Sequence, residues 1–310
     1  MSLVPVIVTG GAGFIGNHLV HSLLDNRHKV VIIDRVATPK TLGSSHGLVG
    51  RKMDVASIRS LNVSGLREAK IVHLAADVSV VKSVRDPIST VRSNIGVTCE
   101  MLEFARKIDS ERFVFSSTAA VYGDKRGRCR ETDPTSPASP YAVSKLACEH
   151  YCKLYSSLYG VQTVILRYFN VYGPGQSTNY AGVITRFVTR ALNEEPPIIF
   201  GDGNQTRDFI FVGDVVRATM AALKKPIPGG TIINIGTGRP TSVRSLADRI
   251  LRILKLEHLH PVHTFASRGD VRHSRADTSI ARAKLGFRSA RGLDDGLLKT
   301  IDWLRTMNRP

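Results

Sequence analysis

A tyrosine and a lysine stand four residues apart in SPYAVSKLACEH, residues 139–150, just behind a serine and a proline. Four residues is about one helical turn, so Tyr141 and Lys145 share a face and can reach a common ligand. An ammonium near a phenol favours the phenolate, and a phenolate can take a proton from a hydroxyl. Ser139 can cap the helix, and Pro140 suits its first position, where no backbone donor is needed. Taken alone, the stretch reads more simply as a capped amphipathic helix with an ordinary tyrosine and lysine.

The rest of the chain changes that balance. TGGAGFIG, residues 9–16, sets Gly10, Gly13 and Gly16 between an apolar run, VPVIV, and an amphipathic stretch, GFIGNHLVHSLLDN. Glycines in such a turn let the backbone approach a pyrophosphate, while the helix start supplies partly positive N–H groups. The next apolar run ends at Asp34, 24 residues beyond Gly10. A carboxylate there accepts hydrogen bonds from ribose hydroxyls and repels a 2′-phosphate, so NAD is expected over NADP. Arg35 beside it could accommodate that phosphate and keeps NADP open. Asp54, in RKMDV, either meets the adenine edge or caps the next turn.

These residues need a scaffold, and the scaffold is legible as alternation. VPVIVTG, KVVIIDR, AKIVHLAA and ERFVFSST are short buried runs separated by helix-length segments, as in a parallel sheet covered on both faces. The expected fold is α/β, a Rossmann-type doubly wound parallel sheet with a smaller discontinuous substrate domain towards the C-terminus. VQTVILRYFN and GTIINIGTG read as two further strands of the sheet. Residues 1–172 and 207–240 are assigned to the dinucleotide-binding domain, and 173–206 with 241–310 to the second.

Composition narrows the function classes. With 310 residues, 42% hydrophobic and 22% charged, the chain can bury a large core. No apolar window of membrane-spanning length and no leader pattern is present, so a soluble, cytoplasmic protein is expected. Cys99, Cys129, Cys148 and Cys152 form no CxxC pair, and Cys148 with Cys152 marks one helix face. The histidines of HLHPVH have no cysteine or carboxylate pattern to complete a metal site, and none is expected. Lys and Arg number 43 against 26 Asp and Glu, a net charge of +17, which suits an anionic partner. The cations are dispersed, densest near 268–291, without interleaved aromatics, so nucleic acid is not expected.

Taken together, TGGAGFIG, HLAA at 73–76, SSTAAVYG at 116–123, YAVSK at 141–145, RYFNVYGPG at 167–175, GDGNQTRDFIFVGD at 201–214 and RGDVRHSRAD at 268–277 resemble one family across nearly the whole chain. The resemblance is to the extended short-chain dehydrogenase/reductases, in the branch of nucleotide-sugar epimerases and dehydratases. UDP-glucose (UDP-galactose) 4-epimerases are the most similar. It implies that Tyr141 is the acid/base, that Lys145 holds the nicotinamide ribose and lowers the tyrosine pKa, and that Thr118 bonds the reacting hydroxyl. It also places Phe14, Ile15, Asp54, Val55, Leu74, Ala75, Ala76, Asn94 and Tyr168 against NAD. Asn170, Arg207, Arg268, Asp270 and Ser274 fall to the UDP-sugar, which the second domain would hold.

Two departures matter. The position three before Asp270, commonly arginine in the family, is Ser267 with Arg268 beside it, and Val78 stands where many epimerases carry a lysine. The dehydratases have an acidic pair and the decarboxylases a glutamate after the equivalent of Thr118, whereas this chain has Ala119 and Ala120. Without that carboxylate, rotation of a 4-keto sugar and return of hydride to its other face is the simplest outcome, which is 4-epimerisation. Dehydration, uronate 4-epimerisation and, in another class, non-catalytic dinucleotide sensing are the rivals. Retention of Thr118, Tyr141 and Lys145 together argues against the last. Surplus apolar faces on SNIGVTCEMLEFARK and YAVSKLACEHYCKLYSSLYG point to a homodimer through a four-helix bundle, with Cys148 or Cys152 near the seam.

Overall fold

The computed structural model describes residues 4–37, 39, 47–177, 182–265 and 271–307. The first apolar runs become strands β1 (Val6–Thr9), β2 (Val30–Asp34), β3 (Leu48–Lys52), β4 (Lys70–His73) and β5 (Phe113–Thr118). With β6 (Thr163–Tyr168) and β10 (Thr231–Ile235) they form a seven-stranded sheet in the order β10-β6-β5-β4-β1-β2-β3. Every pairing in it is parallel. Burial on both faces explains why these strands read as continuous apolar runs; all four residues of β1 are buried.

Helix α1 (Phe14–Asp25) packs on one face through Leu19 and Leu23, against Val215 and Ala218 of α7 (Val212–Lys224). On the other face, Met101 and Leu102 of α4 (Val97–Lys107) meet Cys148 and Cys152 of α5 (Pro140–Tyr159). Two short helices, α2 (Val80–Arg85) and α3 (Pro87–Thr90), and a π-helical turn at Val91–Gly96 lead into α4. The chain leaves β1 for β2 on one side and β4 lies on the other, so a crevice opens at the strand ends between them, where this class of sheet binds its ligand.

VQTVILRYFN is not one strand. It breaks at Phe169, whose N–H bonds Ile235 O at the edge of the large sheet, and resumes as β7 (Asn170–Tyr172). β7 pairs with β9 (Thr206–Phe211), and β9 with β11 (Pro240–Ser242), in a separate mixed sheet. Around it lies a third core, from Ile184 and Phe187 of α6 (Val183–Leu192), Leu246 and Ile250 of α8 (Val243–Leu254), and Leu297 and Ile301 of α9 (Leu293–Met307). A parallel pair, β8 (Ile198–Phe200) with β12 (Val262–Thr264), carries the HLHPVH segment, and His263 Nδ1 lies 2.7 Å from Gly201 O. Among the described residues no helix is long and apolar enough to cross a membrane.

Candidate active site

The start of α1 is arranged for an anion. Gly13 is its extended N-cap, with no side chain capping it and no carboxylate in the first turn, so the leading N–H groups stay available. Gly10 is left-handed at φ +70°, and a Cβ there would sit 2.8 Å from Ala75 N. At Gly16 a Cβ would overlap Gly10 O, so helix and turn touch backbone to backbone. Asp34, ending β2, accepts from Ala12 N at 3.0 Å and Val36 N at 3.2 Å. That fixes a carboxylate 22 residues from the turn it braces. Phe14 and Ile15 open α1, and Leu74, Ala75 and Ala76 follow β4, with Ala75 N donating to Thr9 Oγ1 at 3.3 Å. Asp54 caps a 3-10 turn by accepting from Ala56 N at 2.9 Å, and Val55 is buried behind it. These residues fit a dinucleotide: a side-chain-free turn, open helix donors, and a placed carboxylate for a ribose. For Gly16→Ala we expect the melting temperature to fall, by overpacking of about 1–3 kcal/mol, and NAD affinity in a fluorescence titration to drop more than tenfold. Unchanged affinity would contradict this account of the turn.

The candidate acid/base residues lie between β5 and α5. Ser139 caps α5, accepting from Ala142 N at 3.2 Å, and Gly160 ends it in the left-handed conformation. Tyr141, Lys145 and Glu149 fall on one face of this helix, one turn apart. The Thr118 hydroxyl acts on the Tyr141 phenol in the direction that lowers its pKa, but burial dominates and pushes that phenol up to about 12. Lys145 donates to Ser116 O at 2.9 Å and lies 4.9 Å from the Phe115 ring centre. Burial lowers it to about 8 from 10.5, with Cys148, Cys152 and Glu149 opposing. The protein alone therefore holds the tyrosine neutral, opposite to the direction the resemblance implies. The lysine is not among the groups that shift Tyr141, and its proton is committed to a backbone carbonyl.

A pH dependence follows from Lys145. Its folded value is depressed, so between about 8 and its ordinary 10.5 the unfolded chain binds more protons, and stability rises with pH. Tyr141, raised from 10, reverses the trend above that value. The Lys145 contribution, read in urea unfolding as the difference between cofactor-free parent and Lys145→Met, is expected to grow by up to about 3 kcal/mol from pH 7.5 to pH 10, while Cys148 and Cys152, pushed up by burial, act the other way above 9 in both proteins. Equal slopes in both proteins would refute the assignment.

Sequence reasoning missed the support beneath this pair. Glu149 accepts from Ser117 Oγ at 2.5 Å and from Arg167 Nε and Nη2 at 2.9 and 2.6 Å, and both charged side chains are buried. Arg167 also stacks 4.7 Å from the Tyr122 ring centre. The glutamate ties α5 to the residues just before Thr118 on β5 and Tyr168 on β6. Its spacing, four after Lys145, was the available signal. Asn94 plays a similar part. Its side chain bonds Asp77 N, Asp77 O and Ser144 Oγ at 2.8, 3.1 and 3.0 Å, fastening the loop after β4 to α5.

Thr118, Tyr168, Asn170, Arg207 and Ser274 converge on a cleft of about 500 Å³, which Ser139 and Ala142 also line on either side of Tyr141. Ala119 and Ala120 lie in its wall, so no carboxylate follows Thr118 there. Tyr168 turns its hydroxyl away, to Thr219 Oγ1 at 2.8 Å, and is buried. Arg207 donates to Thr206 O at 2.8 Å. Arg268 and Asp270, with Ser267, lie outside the described residues. The cleft also gains Arg186 of α6 and Phe200 of β8, the guanidinium 5.9 Å from the ring centre, and Gln205, which donates to Phe200 O at 2.7 Å. None of these three was a sequence candidate; Arg186 and Phe200 lie outside the family motifs, and β8, which carries Phe200, pairs with β12 some 60 residues away.

The sequence profile of the NAD dependent epimerase/dehydratase family matches residues 6–236. The UDP-glucose 4-epimerase of Mycolicibacterium smegmatis is 36% identical, over 98% of this chain and 99% of its own. The UDP-N-acetylglucosamine 4-epimerase from Methanobrevibacter ruminantium, solved with UDP-N-acetylmuramic acid, superposes with a TM-score of 0.91 at 32% identity, covering 99% of this chain and 100% of that one. The UDP-glucuronic acid 4-epimerase from Bacillus cereus, solved with UDP-glucuronic acid and NAD, gives 0.90 at 33%, covering 98% and 99%. A glycine turn open to a pyrophosphate, a tyrosine one turn before a buried lysine, and end-to-end likeness to these proteins lead to one conclusion: the chain belongs to the NAD-dependent epimerase/dehydratase family of extended short-chain dehydrogenase/reductases, with NAD as its cofactor.

Proposed function

We propose that this protein is a cytoplasmic UDP-hexose 4-epimerase, acting on the UDP-glucose and UDP-galactose pair and on the corresponding N-acetylhexosamine pair. The observation that carries this reading is a cleft lined by Thr118, Ala119 and Ala120, with Ser139 and Ala142 on either side of Tyr141 in its wall. Tyr141 takes the proton of the sugar 4-hydroxyl while Thr118 holds that oxygen. Bound NAD supplies the hydride acceptor and then the donor. With no carboxylate after Thr118 to expel water, a keto sugar would turn over and regain hydride on its other face. A phenol pushed up to about 12 needs a positive charge close by before it can act at neutral pH, a charge that oxidised nicotinamide would supply when bound. The smaller domain, 173–206 and 241–310, would hold the nucleotide, with Arg207, Arg186 and Asn170 at the diphosphate and Phe200 as a stacking wall for the base. Incubating the protein with a panel of UDP-sugars and following products by proton NMR tests the reading. Epimerisation of none of them would end it.

Sugar choice rests on Ser274, a small residue lining the cleft. Exclusion of an acetamide needs bulk, and a serine does not provide it. For Ser274→Tyr we expect kcat/KM for the N-acetylated pair to fall more than tenfold while that for UDP-glucose changes less. A parent protein inert towards N-acetylated sugars would end the idea.

The assembly proposed is a homodimer. Cys148 and Cys152 are fully buried in the subunit's own core, so they cannot mark its seam as the sequence had indicated. The outward apolar residues of α5 are Val143, Leu154 and Leu158, with Val81 and Val84 of α2 nearby. Light scattering should give twice 33.9 kDa, and a monomer mass at micromolar concentration would refute the dimer.

A further inference from the structure

The cationic surplus concentrated near residues 268–291 is not absorbed by the sugar cleft. Part of it surrounds a second cavity of about 600 Å³, to which Arg239, Arg249, Arg282, Arg288 and Arg291 all contribute. Strand β9 stands between the two cavities: Arg207 lines the cleft, while Phe209 and Thr241, the register partner of Arg207 on β11, line the second cavity.

We propose that this cavity is a binding site for a small oligophosphate, of the size and charge of a nucleoside di- or triphosphate, separate from the sugar cleft. Five guanidinium groups share one concavity, four of them with no carboxylate bonded to them among the described residues, and a ligand carrying several phosphates relieves the repulsion among those four while offering forked acceptors to each. The carboxylates nearby do not cancel them. Asp294 neutralises Arg249, whose Nη1 lies 2.9 Å from both carboxylate oxygens, and Asp295 adds one charge beside Gly292. Arg239, Arg282 and Arg288 have no carboxylate partner among the described residues. Two further acids instead hold the loops that carry the arginines. Asp208 accepts from Thr237 N and Gly238 N, both at 2.8 Å, next to Arg239. Asp214 accepts from Ser289 Oγ, Ala290 N and Arg291 N at 2.7, 3.0 and 3.2 Å.

The arginines are thus set on a braced frame before any ligand arrives, which lowers the ordering cost of binding. Arg291 is further steadied by the Phe211 ring, 5.4 Å from its guanidinium. The Nε of Arg249 is buried without a hydrogen-bond partner among the described residues. The volume is that of a small-molecule pocket rather than a track for a polymer, and Phe287 and Pro240 give it an apolar wall.

Calorimetric titration of the full chain with inorganic tripolyphosphate at near-physiological salt tests the site. We expect saturable binding that persists in Arg207→Ala, which disables the cleft, and that weakens at least tenfold in Arg282→Gln/Arg288→Gln. A control pair removed elsewhere, Arg59→Gln/Arg67→Gln, should bind as the parent does. ATP binding at least as tightly as tripolyphosphate, with the same sensitivity, would extend the site to nucleotides, and weaker ATP binding would restrict it to inorganic oligophosphate; both support an oligophosphate site. Three results would overturn it: no saturable binding, loss of binding in Arg207→Ala with none in the double variant, or equal weakening in the control pair. Because the readout is binding, failure here leaves the epimerase reading untouched, and failure of that reading leaves this site standing.

Discussion

Tyr141→Phe is expected to yield a folded protein that still binds NAD but turns over UDP-glucose about two to four orders of magnitude more slowly, the usual contribution of a positioned acid/base. The substitution removes one oxygen. The half-buried ring keeps the same neighbours, and the Thr118 hydroxyl accepts from Ala120 N at 3.2 Å in either case. Loss should therefore appear in kcat, with little change in KM or melting temperature, because the phenol's proton matters only in the transition state. Lys145→Ala differs in kind: it opens a buried site and should weaken cofactor retention as well. A Tyr141→Phe protein that epimerised UDP-glucose at close to the parent rate would show that another group moves the proton.

The second large effect concerns stability. Glu149→Ala leaves Arg167 buried with its charge uncompensated, and breaking such a pair costs about 3–5 kcal/mol. That is a large share of the 5–15 kcal/mol or so by which a domain is stable. Arg167 is already short of partners, since its Nη1 is buried and lacks one among the described residues. Replacing both charges, as Glu149→Met with Arg167→Met, should restore most of the loss, because two apolar side chains need no pairing. Urea denaturation of the two single variants and the double provides the cycle. If Glu149→Ala alone unfolds at the parent midpoint, the pair is not what ties α5 to β5 and β6. If the double is no better than the singles, the packing around Tyr122 rather than the charge is responsible.

What could be seen in the sequence was whatever depends on neighbours in the chain. The helix from Ser139 to Gly160 was written in its cap and its first proline, the nucleotide turn in the spacing of Gly10, Gly13 and Gly16, and the sheet in runs of buried residues. Thr118, Asn170, Arg207 and Ser274, each taken from a separate sequence motif, line one cleft. What stayed hidden depends on distant segments. The break at Phe169 is set by a bond to Ile235, and Phe200 meets the cleft only because β12 pairs with its strand. The orientation of Cys148 and Cys152 depended on which apolar face of α5 met the sheet, and periodicity does not choose between two such faces. The direction of the tyrosine shift was hidden for a related reason: it is set by burial, and burial belongs to the folded molecule.

The separate mixed sheet has a consequence for the order in which the molecule can come into being. Its three strands are drawn from 170–172, 206–211 and 240–242, whereas the glycine turn, Asp34 and the HLAA segment are all in place by residue 76. A chain emerging from the ribosome therefore carries the glycine turn, Asp34 and the HLAA segment early, whereas the cleft, which needs Thr118, Asn170, Arg207 and Ser274 at once, has to wait until nearly nine-tenths of the 310 residues are made. During synthesis the phosphate-binding turn precedes Tyr141 and Lys145, and the wall of the cleft comes last.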